Sequence, residues 1–504
     1  EINPLPGKSC IAEHFCPTTR QAESGKMTES VPQQAECLAA AGLQNRILLP
    51  TSPEYASRIE AYWSKSSQLK PACFIEPTSA TEVADALKAL VAAKQTFAVR
   101  SGGCNFWPSN NIDHGVTIDL GQLAWIKYNP DDETVSIGPG ARWGQVYEYL
   151  AKYDRAVAGG REARVGVGGL LLGGGNTLFT GRRGFACDNV IEYEVVLANG
   201  SIVKATASGE YSDLFRALKG GGNNFGIVTS YTMPAIPCAS IWGGLVILPP
   251  DIMPAAADAF VDFTSNLEKD PDSNLILMIA HLEPKPGTVI AGLYANVAGV
   301  EKPPIFDKFL TFPELFKTYK KTTLVECLNA TAQGTGYHGV WFASSFANNP
   351  AILRRAAELH QELAAEFEAH ITDQDFQTQC IFQPLPRAFA QNSVKLGGNM
   401  LGLERNKVDG VLWSAHIMVR TAEQEAWAYP RVRAYVEKVR AYAAEVDGLL
   451  PWITANYANP EQPVLESYGP ENVARIREVA KTYDADGVFQ TLCPGGFKIS
   501  KVEG

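Results

Sequence analysis

No apolar stretch of about 18 residues occurs in this 504-residue sequence, so nothing in it reads as a membrane-spanning helix. Nor is there a basic tract. The formal net charge is −10, which argues against nucleic acid as the main ligand. Cys-x2-Cys pairs, His-Glu-x-x-His and clustered His/carboxylate spacings are missing, so no metal site is expected. A Gly-x-Ser-x-Gly elbow and a Walker loop are missing too. No internal repeat, heptad array or low-complexity segment is found. Hydrophobic content of 46% with 19% charged residues excludes a disordered chain. At this length two domains are expected.

What the chain does have is glycine, concentrated in three places. Thr96 to Val99 is a short apolar run that ends in Arg100-Ser101-Gly102-Gly103-Cys104. Glycines after a strand let the backbone turn tightly and bring its N–H groups to an anion. Gly166 to Gly175 and Gly220 to Gly226 are the second and third segments. Three such segments in order suggest a large phosphate-bearing cofactor lying along several loops. The nicotinamide fingerprint G-x-G-x-x-G does not fit. Counted from Gly166, Leu171 stands where the third glycine belongs; counted from Gly168, Leu170 takes the second.

The segments divide the chain. Residues 1–66 form an N-terminal lead with a helix near Gln33 to Ala41. Ser79-Ala-Thr-Glu82 is a capping box, and Val83, Leu87, Leu90 and Val91 follow at helical spacing. Thr96 to Arg100, Val116 to Leu120 and Thr134 to Gly138 read as strands, and Arg142 to Lys152 as a helix. Val190 to Leu197 and Ile202 to Ala205 flank Asn199-Gly200 as a hairpin. Asp213 to Lys219 reads as a short helix and Phe225 to Met233 as the strand closing this block. Pro234, Pro237, Pro249, Pro250 and Pro254 mark a boundary. Beyond it, helices near Ala351 to Ala369 and Arg431 to Val446 accompany strands at Asn274 to His281, Val289 to Val297 and Val411 to Val419. The predicted units are 1–66, 67–235, 236–454 and 455–504.

Arg100-Ser-Gly-Gly, Val165-Gly-Val-Gly-Gly, Leu172-Gly-Gly-Gly and Gly221-Gly-Asn-Asn-Phe-Gly-Ile-Val-Thr229 resemble flavoproteins of the vanillyl-alcohol-oxidase/para-cresol-methylhydroxylase superfamily. The berberine-bridge-enzyme-like branch is the nearest in kind, and its tail signature recurs at Asn456-Tyr457, Tyr468-Gly469 and Lys481 through Gln490. The resemblance implies an α+β, two-domain FAD-binding PCMH-type fold with an α/β substrate-binding domain. It implies FAD along Arg100, Ser101, Gly102, Gly103, Cys104, Val165, Gly166, Gly168, Gly169, Gly174, Gly222, Gly226, Ile227 and Asn456, with residues 455–504 returning to the FAD domain.

Two departures bear on the cofactor. Many relatives carry a flavin-attaching histidine where this chain has Cys104, and some a cysteine where it has Glu162. Non-covalent FAD is therefore expected, and a thioether from Cys104 is the other option. The resemblance makes Val165 favourable to oxygen access, hence an oxidase yielding hydrogen peroxide.

Oxidising a C–OH group needs a base within hydrogen-bond reach. His416 is the expected one among seven histidines: alternation puts Ser414, His416 and Met418 on one strand face. Tyr457 is the second catalytic candidate. Asn176, Gln383, Asn399 and Ser414 are expected at the substrate. The expected function is FAD-dependent oxidation of a carbohydrate or other alcohol, with a small-molecule substrate and molecular oxygen as partners and the protein a monomer. Oxidative or redox-neutral cyclisation, and a redox-silent binding protein, are the alternatives. The start at Glu1, the sequons at Asn199 and Asn329, and ten cysteines lead to an expectation of secretion, with Cys10, Cys16, Cys37 and Cys73 as disulfide candidates.

Overall fold

A computed structural model describes residues 32–282, 287–329 and 334–503. Cys10 and Cys16 lie outside them. Three main sheets carry the fold. The first holds four strands in the order Ile47–Leu48, Cys73–Ile75, Val116–Asp119 and Phe97–Arg100; the last three run parallel. The crossover between Cys73–Ile75 and Phe97–Arg100 is the helix Ala80–Ala92. It starts where Ser79 Oγ accepts the Glu82 amide at 3.1 Å, and it buries Val83, Leu87 and Leu90. Glu82 does not close the box. Its carboxylate accepts from the Thr78 amide and from Arg46 instead.

The second sheet is antiparallel: Ile126–Asn129, Thr134–Ile137, Gly226–Pro234, Glu192–Leu197 and Ile202–Thr206 in that order. Its last hairpin turns at Asn199-Gly200, where Gly200 has φ +80°, the left-handed region that the turn requires.

After the proline-rich stretch, Ile241–Leu248 enters a nine-stranded sheet in which all pairs are antiparallel. Its centre is Ser273–Leu282, Phe376–Leu385, Gly410–Val419 and His338–Ala347. Helices Met253–Asn266, Pro350–His370 and Ala422–Glu445 pack on one face, where Trp413 meets Tyr435. The other face turns to the first two sheets, so Gly410–Val419 is buried on both sides. The helix expected from Arg431 begins nine residues earlier. Thr421 and Gln424 form a reciprocal capping box, and the helix continues through Pro430 rather than starting after it.

The tail returns across the first sheet. Phe489 sits edge-on to Phe97, the Phe97 amide donates to Leu492 O at 2.7 Å, and Asn224 Nδ2 donates to Phe497 O at 2.9 Å. Cys37 and Cys73 are free thiols, which departs from the disulfide expectation; burial pushes Cys73 up to about 12, so the thiol stays protonated. Among the described residues no helix is long and apolar enough to cross a membrane, and no cluster of metal-ligating side chains occurs.

Candidate functional site

One cavity of about 430 Å³ runs between the nine-stranded sheet and the two N-terminal sheets. All three glycine segments reach it. Gly102, Gly103, Cys104 and Asn105 line it, and their four consecutive amides donate to no protein acceptor among the described residues. A run of unspent N–H groups around a left-handed glycine (Gly103, φ +66°) is a nest for an anion. Arg100 does not line the cavity. Only 1% exposed, it pairs with Asp119 at 3.2 Å and donates to Arg58 O at 2.8 Å, so it props the glycine loop from below.

The loops are fastened to one another. Ser101 Oγ donates to Pro139 O and accepts from the Gly168 amide at 3.3 Å. Asn456 Oδ1 accepts the Gly175 amide at 3.0 Å and ties the tail to the second segment. At Gly169 an added Cβ would meet nothing within 4 Å, because that position faces open cavity. Val165, Gly166, Gly168, Gly222, Gly226 and Ile227 complete this wall. Gly174 does not: at φ +103° it turns the chain, and its missing Cβ makes way for Leu401. Free amides at one end and side-chain-free walls along the length fit an elongated dinucleotide such as FAD.

The two attachment positions are both in the wall and both engaged. Cys104 Sγ lies 3.3 Å from Gly102 O, 3.2 Å from Arg164 O and 3.2 Å from Arg142 Nη1. Glu162 accepts from the Arg164 and Val165 amides at 2.8 and 3.0 Å and pairs with Arg164 Nε at 2.9 Å.

The nine-stranded sheet contributes Ile276, Met278, Leu293, Trp341, Ile381, Gln383 and His416, and Trp341 stacks on Phe106 beside the nest with ring centroids 4.7 Å apart. His416 stands directly opposite Trp341 in the strand register, and the rings stack with centroids 3.8 Å apart and planes 4° apart. Neither ring nitrogen has a hydrogen-bond partner among the described residues, and burial pushes the imidazole down to about 3. His416 is therefore neutral near pH 7: an acceptor of hydrogen bonds, and a weaker base than an ordinary histidine. Tyr457 lies beside it, ring centroids 5.5 Å apart.

Asn176 and Gln383 also reach the cavity, and Asn176 Nδ2 lies 3.4 Å from Gln383 Oε1. Two expected substrate residues lie elsewhere. Asn399 is buried against Asp188, donating to its carboxylate at 2.8 Å and fixing the turn through the Leu401 amide. Ser414 is on the same strand face as His416 but fully buried and outside the cavity wall. Arg161, which no motif marks, is the residue that sequence reading misses. Its Nη2 donates to Gln383 Oε1 and, at 3.3 Å, to Tyr457 Oη.

A glycine-walled cavity with an amide nest, covered by an antiparallel sheet, defines a dinucleotide-binding oxidoreductase fold. Residues 71–206 match the FAD binding domain family. The chain is 34% identical to the FAD-dependent monooxygenase drtC of Aspergillus calidoustus, over 94% of this chain and 91% of that protein. Two solved structures share the fold. Xylooligosaccharide oxidase from Myceliophthora thermophila C1 has a TM-score of 0.70 at 20% identity, covering 90% of this chain and 97% of its own. Berberine bridge enzyme from Eschscholzia californica has a TM-score of 0.71 at 18% identity, covering 92% and 100%. This chain belongs to the vanillyl-alcohol-oxidase/para-cresol-methylhydroxylase family of FAD-linked oxidoreductases.

Proposed function

We propose that this FAD-dependent oxidoreductase oxidises a C–OH group of a small, largely apolar molecule, with dioxygen as final acceptor and hydrogen peroxide as by-product. The observation that carries this reading is the convergence of His416, Tyr457, Gln383 and Asn176 on an aliphatic wall of the glycine-lined cavity. When bound, FAD supplies two-electron acceptance. The chain supplies the rest. His416 offers an unpartnered imidazole nitrogen to the substrate hydroxyl and accepts its proton as the C–H bond breaks. Because burial disfavours the imidazolium, His416 releases that proton to solvent, and it is matched by one of the two that dioxygen takes up in becoming hydrogen peroxide. Tyr457 Oη, fixed by Arg161, orients the hydroxyl from the other side. Neither Cys104 nor Glu162 is proposed to bond the cofactor, and secretion, with glycosylation at the exposed Asn199 and Asn329, belongs to the same proposal.

A panel of primary and secondary alcohols, followed by oxygen uptake and peroxide release, tests this reading. Peroxide in step with oxygen is expected, and His416→Leu should lower turnover by about 10²-fold or more. A second reading is favoured by the naming of relatives such as drtC as monooxygenases. Oxygen-18 from labelled dioxygen in the product would move the assignment there. Oxygen uptake with a cyclised product would favour the cyclase, and flavin that never reoxidises would favour a silent binding protein.

A further inference from the structure

Two arginines are buried among the described residues, and their surroundings differ. Arg100, at 1% exposure, has the Asp119 carboxylate. Arg161, at 9% exposure, forms no ion pair among the described residues. Its hydrogen bonds are to two neutral acceptors, Gln383 Oε1 and Tyr457 Oη, both through Nη2. Its Nε and Nη1 donate to nothing among the described residues. The carboxylate next in sequence, Glu162, is turned away and held by Arg164 Nε and two backbone amides.

A guanidinium is never deprotonated in a protein, so this is a permanent charge kept largely out of water with no counter-ion among the described residues. Such a group is tolerated where an anion arrives with the ligand. Arg161 lines the cavity, and its two partners bring it to the wall shared by the nine-stranded sheet and the tail. Those partners stand on the sheet and the tail, not on the glycine segment that carries the amide nest at Gly102–Asn105. The same wall carries Ile276, Met278, Ile381 and Trp341, which favour an apolar or aromatic body.

We propose that Arg161 is the receptor for a carboxylate on an otherwise apolar substrate, binding it by a charge-assisted hydrogen bond from the unspent Nη1 while Nη2 stays with Gln383 and Tyr457. The inference rests on the reading of this cavity wall as the substrate site. It narrows the substrate class from alcohols in general to hydroxy acids with an apolar body.

Benzoate, benzamide and benzyl alcohol are suitable probes, because they share a ring and differ in charge. Binding to the FAD-loaded protein is followed by perturbation of the visible flavin spectrum and by the melting temperature. Benzoate should bind at least about tenfold more tightly than benzamide, a preference that Arg161→Gln removes and Arg161→Lys partly keeps. Benzamide affinity should be the same in all three proteins. Equal affinities in the unaltered protein, binding of none of the probes, or a preference that survives Arg161→Gln would each overturn the assignment. So would an Arg161→Gln protein whose ligand-free flavin potential shifts while its benzoate preference stays, because the charge would then serve the cofactor. Flavin content after acid extraction is measured in parallel. Protein that neither carries nor binds flavin defeats the FAD-enzyme reading, whereas the benzoate/benzamide melting comparison still reports on Arg161.

Discussion

Gly102 and Gly166 meet back to back: a Cβ on either would lie 2.5 Å from the Cα of the other. The first two glycine segments are therefore one surface, not two independent turns. Gly102→Ala puts carbon against backbone that cannot rotate aside, and should cost about 1–3 kcal/mol, read as a lower melting temperature with or without added FAD. Gly169→Leu is the contrasting case. Its Cβ meets nothing within 4 Å and its helix tolerates leucine, so the ligand-free protein should melt unchanged. Its side chain would occupy the cavity, and FAD affinity should fall at least about tenfold, measured by fluorescence titration.

Cofactor attachment is read by acid precipitation. With Cys104 hydrogen-bonded to two carbonyls and Glu162 paired with Arg164, the flavin colour is expected in the supernatant. Cys104→Ser should leave that result unchanged. A yellow pellet that Cys104→Ser clears would establish a thioether instead.

Val165 lines the cavity between Glu162 and Gly166. Lengthening it narrows the approach of a small gas without adding charge. Val165→Leu should slow reoxidation of photoreduced protein by about tenfold in stopped flow, roughly 1.4 kcal/mol of barrier, while substrate reduction is little affected.

Two buried histidines make stability depend on pH. Burial lowers His360 to about 4, with His281 adding to the effect, and lowers His416 to about 3. Unfolded, each takes up its proton near 6.5, so the unfolded state binds more protons below that pH. Their stabilising contribution is complete above about pH 6.5 and is lost on acidification towards the folded values. Each contributes a slope of about 1.4 kcal/mol per pH unit in that window. The melting temperature should fall from pH 7 to pH 5, and His360→Leu should flatten that fall relative to the unaltered protein. Parallel curves would show that His360 is not the group responsible.

Much of the fold is legible in the sequence because its signals are local. The Ser79 cap, the Asn199-Gly200 turn and the alternation along Gly410–Val419 depend on residues a few positions apart, and each yields the expected element. Boundaries fail where two local rules compete, as at Pro430, where the Thr421 capping box outweighs the proline. Within the site, the glycine segments could be read because a missing side chain is visible in any alphabet. Arg100, Asn399 and Ser414 are polar residues near the right motifs whose partners lie elsewhere. Asp119 holds Arg100, Asp188 holds Asn399, and Ser414 faces no cavity. No short-range rule separates them from residues that line the pocket.

The sequence by itself determined that this chain would bend glycine-rich backbone three times and present a histidine on a strand face, because turn chemistry and strand alternation are settled within a few residues. Only the tertiary structure decided that those bends share one cavity, that burial keeps His416 uncharged, and that Arg161 reaches Gln383 and Tyr457 without meeting a carboxylate among the described residues. These depend on contacts between segments far apart in the chain, as with Arg161 and Gln383, which are 222 residues apart. Local propensity carries no information about which charges such packing leaves unpaired.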